Sequence, residues 1–310
     1  MHDHAISDRV VLITGGAGFV GSHIADALAP DNTVRVLDNF SDGTRSNVPE
    51  GASVIEGDVR NEATLAEAMA DVDCCFHEAG MVSVDRSIEA PAECHAVNAG
   101  ATVSLLEAAR RADARLVFAS SVAIYGQPTS VPIREPDPKE PTSPYGIDKL
   151  ASDHYVRAYA DLYDLPTVSL RYFNIYGPRQ SAGDYGGVIS IFLDRAQRDE
   201  PLVVHGDGSQ TRDFVHVSDV VNANLRAATT GATGEGFNIG TGSSVSIREL
   251  AELVVEVTGS ESEIVHGDPR PGDIAESRAD CSKARRELGY EPETDLSDGL
   301  TALAEDSGRR

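Results

Sequence analysis

Tyr145 and Lys149 stand four positions apart in "PTSPYGIDKL", residues 141–150. Residues i and i+4 share one face of a helix, so a phenol and an ammonium so spaced can act on one object. The chemistry open to them is proton transfer. A phenol with its ordinary pKa of about 10 is a poor base at neutral pH, and a neighbouring positive charge favours the phenolate. The pair is unusual in this composition. The chain has only three lysines, at 139, 149 and 283, against nine tyrosines in 310 residues; chance placement gives about 0.09 such pairs. The same two residues on a solvent-facing helix would do nothing, so the rest of the sequence must supply a partner for them.

A cofactor site is written near the N-terminus. "TGGAGFVG" places Gly15, Gly18 and Gly21 between an apolar run and a helical pattern, and with Gly16 it also reads as GxGxxG. Glycine there permits a tight turn and close approach of backbone to a pyrophosphate at a helix N-terminus. Any strand-to-helix turn can use glycine, but here an acid also ends the second strand: Asp38, 17 residues beyond Gly21. A carboxylate at that point accepts hydrogen bonds from ribose hydroxyls and repels a 2′-phosphate, which favours NAD over NADP. Asp58, in "EGDV", has two readings, an adenine contact or the N-cap of the helix "NEATLAEAM".

The elements that must carry these residues alternate. "RVVLITGG", "TVRVLD", "SVIEGD", "VDCCFHEAG", "RLVFASS" and "TVSLRYFNIYG" read as strands. "GFVGSHIADALA", "NEATLAEAMA", a stretch from about 92 to 111 and one from 145 to about 163 read as helices. Strands alternating with helices imply βαβ units and a parallel sheet covered on both faces, a doubly wound α/β fold of Rossmann type. Residues 127–144 are rich in proline and read as a long exposed loop. Past Tyr176 the texture changes: "RQSAGDYGG" reads as a flexible loop and "VISIFLDRAQRDE" as a helix, then short strands, turns and helices mix. The expected division is a dinucleotide-binding domain over 1–177, with part of 211–245 returning to it, and a smaller mixed α/β substrate domain over 178–310.

Bulk composition narrows the partners. The net charge of −24 argues against nucleic acid and anionic membranes. The acidic residues are spread along the chain and lysine is nearly absent, as suits solubility in high salt, where screening weakens self-repulsion. No apolar run approaches the roughly 18 residues that cross a bilayer, and "MHDHAISDRV" has no apolar signal core, which points to the cytoplasm. Cys74, Cys75, Cys94 and Cys281 lack metal-type spacing and read as reduced core residues. The nine histidines show no ligand spacing either, so no metal is expected, and His77 and His216 read as core or hydrogen-bonded residues.

In the order "TGGAGFVGSH", "LDNFSDG", "GDV", "SSVAIYG", "PYGIDK", "RYFNIYGPRQ", "GDGSQTRDFVHVSD", "FNIGTG" and "RPGDIAES", the chain resembles the extended short-chain dehydrogenases/reductases that act on sugar nucleotides, an epimerase/dehydratase family, from residue 12 to about 290. The resemblance is greatest to the 4-epimerases of UDP-hexoses. It implies NAD as cofactor, a UDP-sugar as substrate and a homodimer formed through the helices around 92–111 and 146–163. It makes Tyr145 the catalytic base, Lys149 the residue that lowers its pKa and holds the nicotinamide ribose, and Ser121 the hydroxyl bridging Tyr145 to the sugar; Ser120, the rival serine, reads as a turn residue. The cofactor residues it implies are Gly15, Gly18, Phe19, Val20 and Gly21 in the loop, Asp38, Asn39, Ser41 and Gly43 after the second strand, and Asp58 and Val59 after the third. Ala79, Gly80, Asn98 and Tyr172 complete that set with Tyr145 and Lys149. For the substrate it implies Ser83, Ser121, Ala123 and Tyr145 around the sugar, and Asn174, Arg212 and Arg270 at the diphosphate. Val188, Val203 and His205 line the nucleotide, Asp273 meets its ribose, and Ser277 falls beside the sugar 2-substituent, where a small residue leaves room for an N-acetyl group. Arg212 and Arg270 could equally form surface ion pairs with Asp213 or Asp273, and Asn98 could bond locally within its helix.

Two residues depart from the family pattern. Glu78, in "HEAG", stands where an apolar residue is usual, and Asp148, in "YGIDK", where serine is common; the latter reads as surface acidification. The residues after Ser121 narrow the reaction. Dehydratases of the group carry an Asp-Glu pair directly after that serine position to eliminate water, and decarboxylases a nearby glutamate. Here Val122, Ala123 and Ile124 occupy those positions, and none transfers a proton. Transient oxidation at the sugar C4, rotation of the keto-sugar and return of the hydride to the other face fit best. A net NAD-dependent dehydrogenase, or another sugar-nucleotide-modifying enzyme such as a UDP-glucuronate epimerase, is the alternative.

Overall fold

The computed structural model describes residues 6–181, 187–270 and 272–307; most of the loop expected over 179–187 lies outside them. In chain order the strands are β1 (Val10–Thr14), β2 (Thr33–Asp38), β3 (Ser53–Glu56), β4 (Cys74–His77), β5 (Arg115–Ser121), β6 (Thr167–Tyr172) and β7 (Asn174–Tyr176). Next come the short strands β8 (Leu202–His205), β9 (Thr211–Arg212), β10 (Phe214–His216), β11 (Glu235–Ile239), β12 (Val245–Ser246) and β13 (Ile264–Gly267). The helices are α1 (Phe19–Leu28), α2 (Glu62–Ala68), α3 (Val84–Glu89), α4 (Pro91–His95), α5 (Ala101–Ala112) and α6 (Pro144–Tyr163), then α7 (Val188–Ala196), α8 (Val217–Thr229), α9 (Ile247–Thr258), α10 (Ser282–Leu288) and α11 (Leu296–Ser307).

One seven-stranded parallel sheet, in the order β11-β6-β5-β4-β1-β2-β3, organises the larger part. Its strands other than the edge strand β3 are largely buried on both faces, which is why they read as continuous apolar runs. Val11 and Ile13 of β1 join one core with α1 and α8, while Leu12 between them joins a second core with α2, α5 and α6. The order of strands reverses between β1 and β4, and the crevice at their carboxyl ends is where such sheets take ligands.

The run 167–177 is two strands and not one. β6 stays in the large sheet and β7 leaves it at Phe173 to pair with β10. The helical stretch near 92–111 is also divided, for a π-helical turn at Ala96–Gly100 separates α4 from α5. The proline-rich loop is long and largely exposed, but Ile133 is buried in it and exchanges main-chain hydrogen bonds with Arg278 and Asp280. Beyond it, β8 pairs with β13 and β9 with β12, and α7, α9 and α11 enclose a third core around Phe192, Leu250 and Leu300. β11 is an edge strand of the large sheet and α8 packs on that sheet, and Leu288 and Tyr290 join the same first core.

Candidate active site

The glycine loop closes the β1–α1 junction. Gly15 has φ +68, and a side chain there would strike the Ala79 backbone at 2.7 Å; one at Gly21 would collide with the Gly15 carbonyl. These two glycines are fixed by the turn and by strand–helix packing. A side chain at Gly18 would meet only the Gly15 carbonyl, at 3.2 Å. Gly18 is itself the N-cap of α1, whose first turn no side chain caps. That arrangement fits a dinucleotide pyrophosphate. Phe19 and Val20 begin the helix. Asp38 ends β2 with its carboxylate turned back on the loop, accepting from Ala17 N–H at 2.9 Å and Phe40 N–H at 2.8 Å. Each oxygen keeps a lone pair for a ribose hydroxyl.

The neighbouring residues are mostly held by the chain itself. Asn39 accepts from Ser41 N–H, and Gly43 lies so close to Ala17 that no side chain fits. Asp58 takes both arms of Arg60, at 2.9 and 2.5 Å, and that guanidinium holds its carboxyl down at about 2. Asp58 does not cap α2; Asn61 does, accepting from Ala63 and Thr64 N–H. Val59 is buried in the second core.

The catalytic candidates converge where β4, β5 and α6 meet. Ser121 is the last residue of β5 and accepts from Ala123 N–H at 3.1 Å. Tyr145 lies in the first turn of α6, whose N-cap is Ser143, and its own N–H donates to Ser87. Burial pushes the Tyr145 phenol up, the Ser121 hydroxyl beside it pulls it down, and Cys94 adds a smaller push upward. Lys149 is buried one turn further along α6. It donates to Ala119 O at 2.7 Å and lies 4.9 Å from the Phe118 ring centre. Burial draws its pKa down to about 8, opposed by Glu78. Ser121 is the neighbouring group that favours the phenolate. Ser120 is not a turn residue: its hydroxyl donates to Asp153 inside the sheet–helix interface.

Asn98 lies in the π-helical turn and bonds across the fold as well as locally. Its Oδ1 accepts from Met81 N–H at 2.8 Å, and its Nδ2 donates to Met81 O at 3.0 Å and to Cys94 Sγ. This grips the loop carrying Ala79 and Gly80; an atom added at Gly80 would lie 2.9 Å from Asn98 Oδ1 and 3.5 Å from Lys149 Nζ. The turn leaves the Asn98 carbonyl to the hydroxyls of Thr102 and Ser152, in keeping with π-turns at functional positions. Ser83 caps α3 beside this loop. His77 is buried between Thr14 and Thr102, and burial with Lys149 nearby lowers it to about 3; His216 caps α8. All four cysteines are buried and unpaired.

Asp148 is not surface acidification. It is 4% exposed and its Oδ1 lies 2.8 Å from His95 Nδ1, joining α6 to α4 one residue before Lys149. Glu78, the other departure, is half-buried at the end of β4. Its Oε1 accepts from the Tyr172 hydroxyl at 3.0 Å, and that hydroxyl accepts from Asn224 Nδ2 at 2.8 Å. Burial pushes the carboxyl up to about 7, against Tyr172 and Lys149.

A second cleft, about 530 Å³, opens beside β7, β8, β9 and α7. It brings together Asn174, Val188, Val203, His205, Arg212, Arg270 and Asp273. Arg212 is ion-paired with Asp273 and donates to Thr211 O and Ile274 O. Asp213, the other partner considered, is buried away from it and accepts from Thr241, Gly242 and Ala279. Ser277 is 3% exposed, bonded through its N–H to Thr211 O, and lies outside the lining of this cleft. Ile191, Phe192 and Gln210 also line it and were not foreseen. Helix spacing from Val188 places Ile191 and Phe192 on its face at i+3 and i+4.

The sequence profile described as the NAD dependent epimerase/dehydratase family matches residues 11–240. A UDP-glucose 4-epimerase of Mycolicibacterium smegmatis is 37% identical over 307 residues, covering 95% of this chain and 97% of that protein. A UDP-glucose 4-epimerase of Thermotoga maritima, solved with UDP-glucose, superposes with a TM-score of 0.94 at 38% identity, covering 97% of this chain and 99% of that one. A UDP-N-acetylglucosamine 4-epimerase of Methanobrevibacter ruminantium, in complex with UDP-N-acetylmuramic acid, also gives 0.94 at 33% identity, over 98% and 100% of the two chains. The chain belongs to the NAD dependent epimerase/dehydratase family, and its closely superposing relatives place it among the nucleotide-sugar enzymes of that family.

Proposed function

We propose that the protein is an NAD-dependent 4-epimerase of UDP-hexoses, acting on UDP-glucose and UDP-galactose and on their N-acetylated forms. The observation that carries the reading is the convergence of Ser121, Tyr145 and Lys149 at the carboxyl end of β5, beside the glycine loop, with only Val122, Ala123 and Ile124 after the serine. NAD, held by the glycine loop, Asp38 and Lys149, supplies the acceptor and donor of the hydride at the sugar C4. Tyr145 Oη takes the proton of the 4-hydroxyl as that carbon becomes a ketone, with Ser121 Oγ between phenol and sugar. Lys149 keeps two N–H groups free of Ala119 for a ribose hydroxyl. Tyr145 returns the proton after the keto-sugar has turned over. The diphosphate lies against Asn174, Arg212 and Arg270, where guanidinium forks match phosphate oxygens, and it competes with Asp273 for Arg212. Residues 1–177 with α8 and β11 then form the NAD-binding domain, and most of 178–310 the nucleotide-sugar domain.

The assay is direct: the protein incubated with NAD and separate UDP-sugars, and the products resolved by chromatography. Interconversion of the 4-epimers without net NADH supports the reading, and stoichiometric NADH refutes it in favour of a dehydrogenase. Tyr145→Phe keeps the ring and loses the base, so turnover should nearly vanish with NAD binding retained; near-normal turnover in this variant would overturn the assignment.

The same reading includes a homodimer. Ile147, Tyr155, Leu162 and Tyr163 are all about half exposed or more along α6, an apolar stripe that a second α6 and α5 would cover. It also includes a salt-adapted, cytoplasmic protein. The −24 charge and the four unpaired thiols support this, and among the described residues no helix is long and apolar enough to cross a membrane. Recovery in the membrane fraction of lysed cells would exclude the cytoplasmic assignment.

A further inference from the structure

Glu78 occupies a particular place in the strand order. It comes directly after β4, which lies between β1 with the glycine loop and β5 with Ser121. A dinucleotide with its pyrophosphate on the glycine loop and its reacting end at Tyr145 must cross the end of β4. The Glu78 backbone touches the glycine loop, since its N–H donates to Thr14 O and a side chain at Gly15 would lie 3.0 Å from its carbonyl carbon. Its carboxyl is held from behind by a relay from α8 through β6: Asn224 Nδ2 donates to Tyr172, which donates to Glu78. Lys149 is the cation nearest in effect, acting on Glu78 electrostatically without forming an ion pair. A carboxyl braced by Tyr172, next to the glycine loop and within electrostatic reach of Lys149, thus stands at the strand end that the dinucleotide must cross.

We propose that Glu78 is a specificity-determining residue of the cofactor wall, whose carboxylate makes the site hold the oxidised dinucleotide, with its cationic nicotinamide ring, more tightly than the reduced one, whose ring is neutral. This rests on the proposed epimerase function, in which the resting enzyme must carry the oxidised form. A negative charge there favours completion of each cycle by return of the hydride to the sugar.

The groups facing Glu78 define the pH range of the test. Tyr172 on β6 is raised well above 10 by burial, Cys75 on β4 is raised by burial, and His77 is held down at about 3. Between pH 5.5 and 8.5 this leaves Glu78, pushed by burial up to about 7, and Lys149, drawn by burial down to about 8. Glu78 raises Lys149, so a Glu78 variant also shifts that ammonium, and its difference from the wild type reads the two coupled groups together.

The readout is the midpoint potential of the bound couple, measured without sugar by reductive titration at 340 nm, which needs no release of the dinucleotide. Glu78→Gln keeps an acceptor for Tyr172 and removes the charge. At pH 8 it should reduce the preference for the oxidised form about tenfold, the size of one charge–charge interaction across a partly solvated cleft, and so raise the midpoint by about 30 mV. The difference should close toward pH 5.5, where the wild-type carboxyl is protonated. Tyr172→Phe, which removes the donor to Glu78 and the acceptor of Asn224 Nδ2 without removing the carboxyl, should open a difference near pH 7 that closes at pH 8.5. Equal potentials at pH 8, or a difference that persists unchanged at pH 5.5, overturn the proposal. A protein that binds neither form of the dinucleotide would instead overturn the epimerase reading.

Discussion

Arg171→Met tests the frame that holds the catalytic side chains. Arg171 is 2% exposed and Asp153 fully buried; the guanidinium meets the carboxylate with two hydrogen bonds of 3.0 Å. Asp153 also accepts from Ser120 and Ser169, and Arg171 donates further to the Tyr125 hydroxyl and to Glu135 O. Asp153 lies one turn beyond Lys149 on α6, and Ser120 immediately precedes Ser121 on β5, so this network ties the two elements that carry the candidate residues to each other and to β6. Burial pushes the Asp153 carboxyl up, but the Arg171 bonds and charge prevail and hold it below its ordinary value. Removing one partner of a buried pair costs about 3–5 kcal/mol. The lower end applies here, because Arg157 lies 3.9 Å from Asp153 and two hydroxyls remain. Urea titration followed by circular dichroism should show the midpoint falling accordingly with its slope unchanged. Arg171→Met with Asp153→Leu removes both charges and should recover much of the loss. In the wild type, Asp153 stabilises the fold above the unfolded carboxyl pKa of about 3.9, and this is lost as pH falls through its lower folded value. In the variant the stranded carboxylate is relieved by protonation, so the gap from wild type should narrow on acidification. A single-variant loss under about 1 kcal/mol, or a double variant no more stable than the single, would refute this account.

Thermal stability should rise with KCl toward molar concentration, because screening relieves repulsion among the carboxylates of a −24 surface; unfolding curves that coincide at low and molar salt would exclude salt adaptation. Sedimentation should give a dimer, and Leu162→Glu, which places a charge in the exposed stripe of α6, should give the monomer; a wild-type monomer in molar KCl would remove the dimer from the reading. Ser277→Tyr should abolish turnover of the N-acetylated UDP-hexoses and keep that of UDP-glucose, which serves as the control for folding at this buried position; continued turnover of both would show that Ser277 does not limit the 2-substituent.

The large sheet was legible because its strands, the edge strand β3 apart, are largely buried on both faces and are separated by helices, so period and punctuation agree. The division of 167–177 was not, because Phe173 is apolar like its neighbours and nothing local marks the exchange of one sheet for another. The strands β9 and β12 have two residues each, too few to show a period. In the site, helix arithmetic found Tyr145 with Lys149 but was not carried to Asp148, which at i+3 from Tyr145 shares the same inward face and is buried. Glu78 was visible as a departure from the family pattern, but its meaning depends on Tyr172 and Asn224, 94 and 146 residues along the chain, which only the fold brings to it.

The lysines connect composition to the site. A surface emptied of lysine leaves those whose ammonium is used inside the fold, and all three here donate to main-chain carbonyls. Lys139 serves Glu135 O and Asp137 O, Lys283 serves Gly236 O together with the Glu235 carboxylate, and Lys149 serves Ala119 O. A guanidinium is wider and planar, and does not replace an ammonium in such a pocket. Lysine scarcity is therefore a property of the exposed face, and each lysine that persists marks a buried requirement. For Lys139 and Lys283 that requirement ends with the carbonyls and carboxylate they bind. Lys149 has one carbonyl and two donors left over, beside Gly80 in the cofactor cleft. A buried ammonium bonded to one carbonyl has donors left for a ligand, and this supports the proposed reading of Tyr145 and Lys149 as a working pair over that of two idle residues on a helix surface.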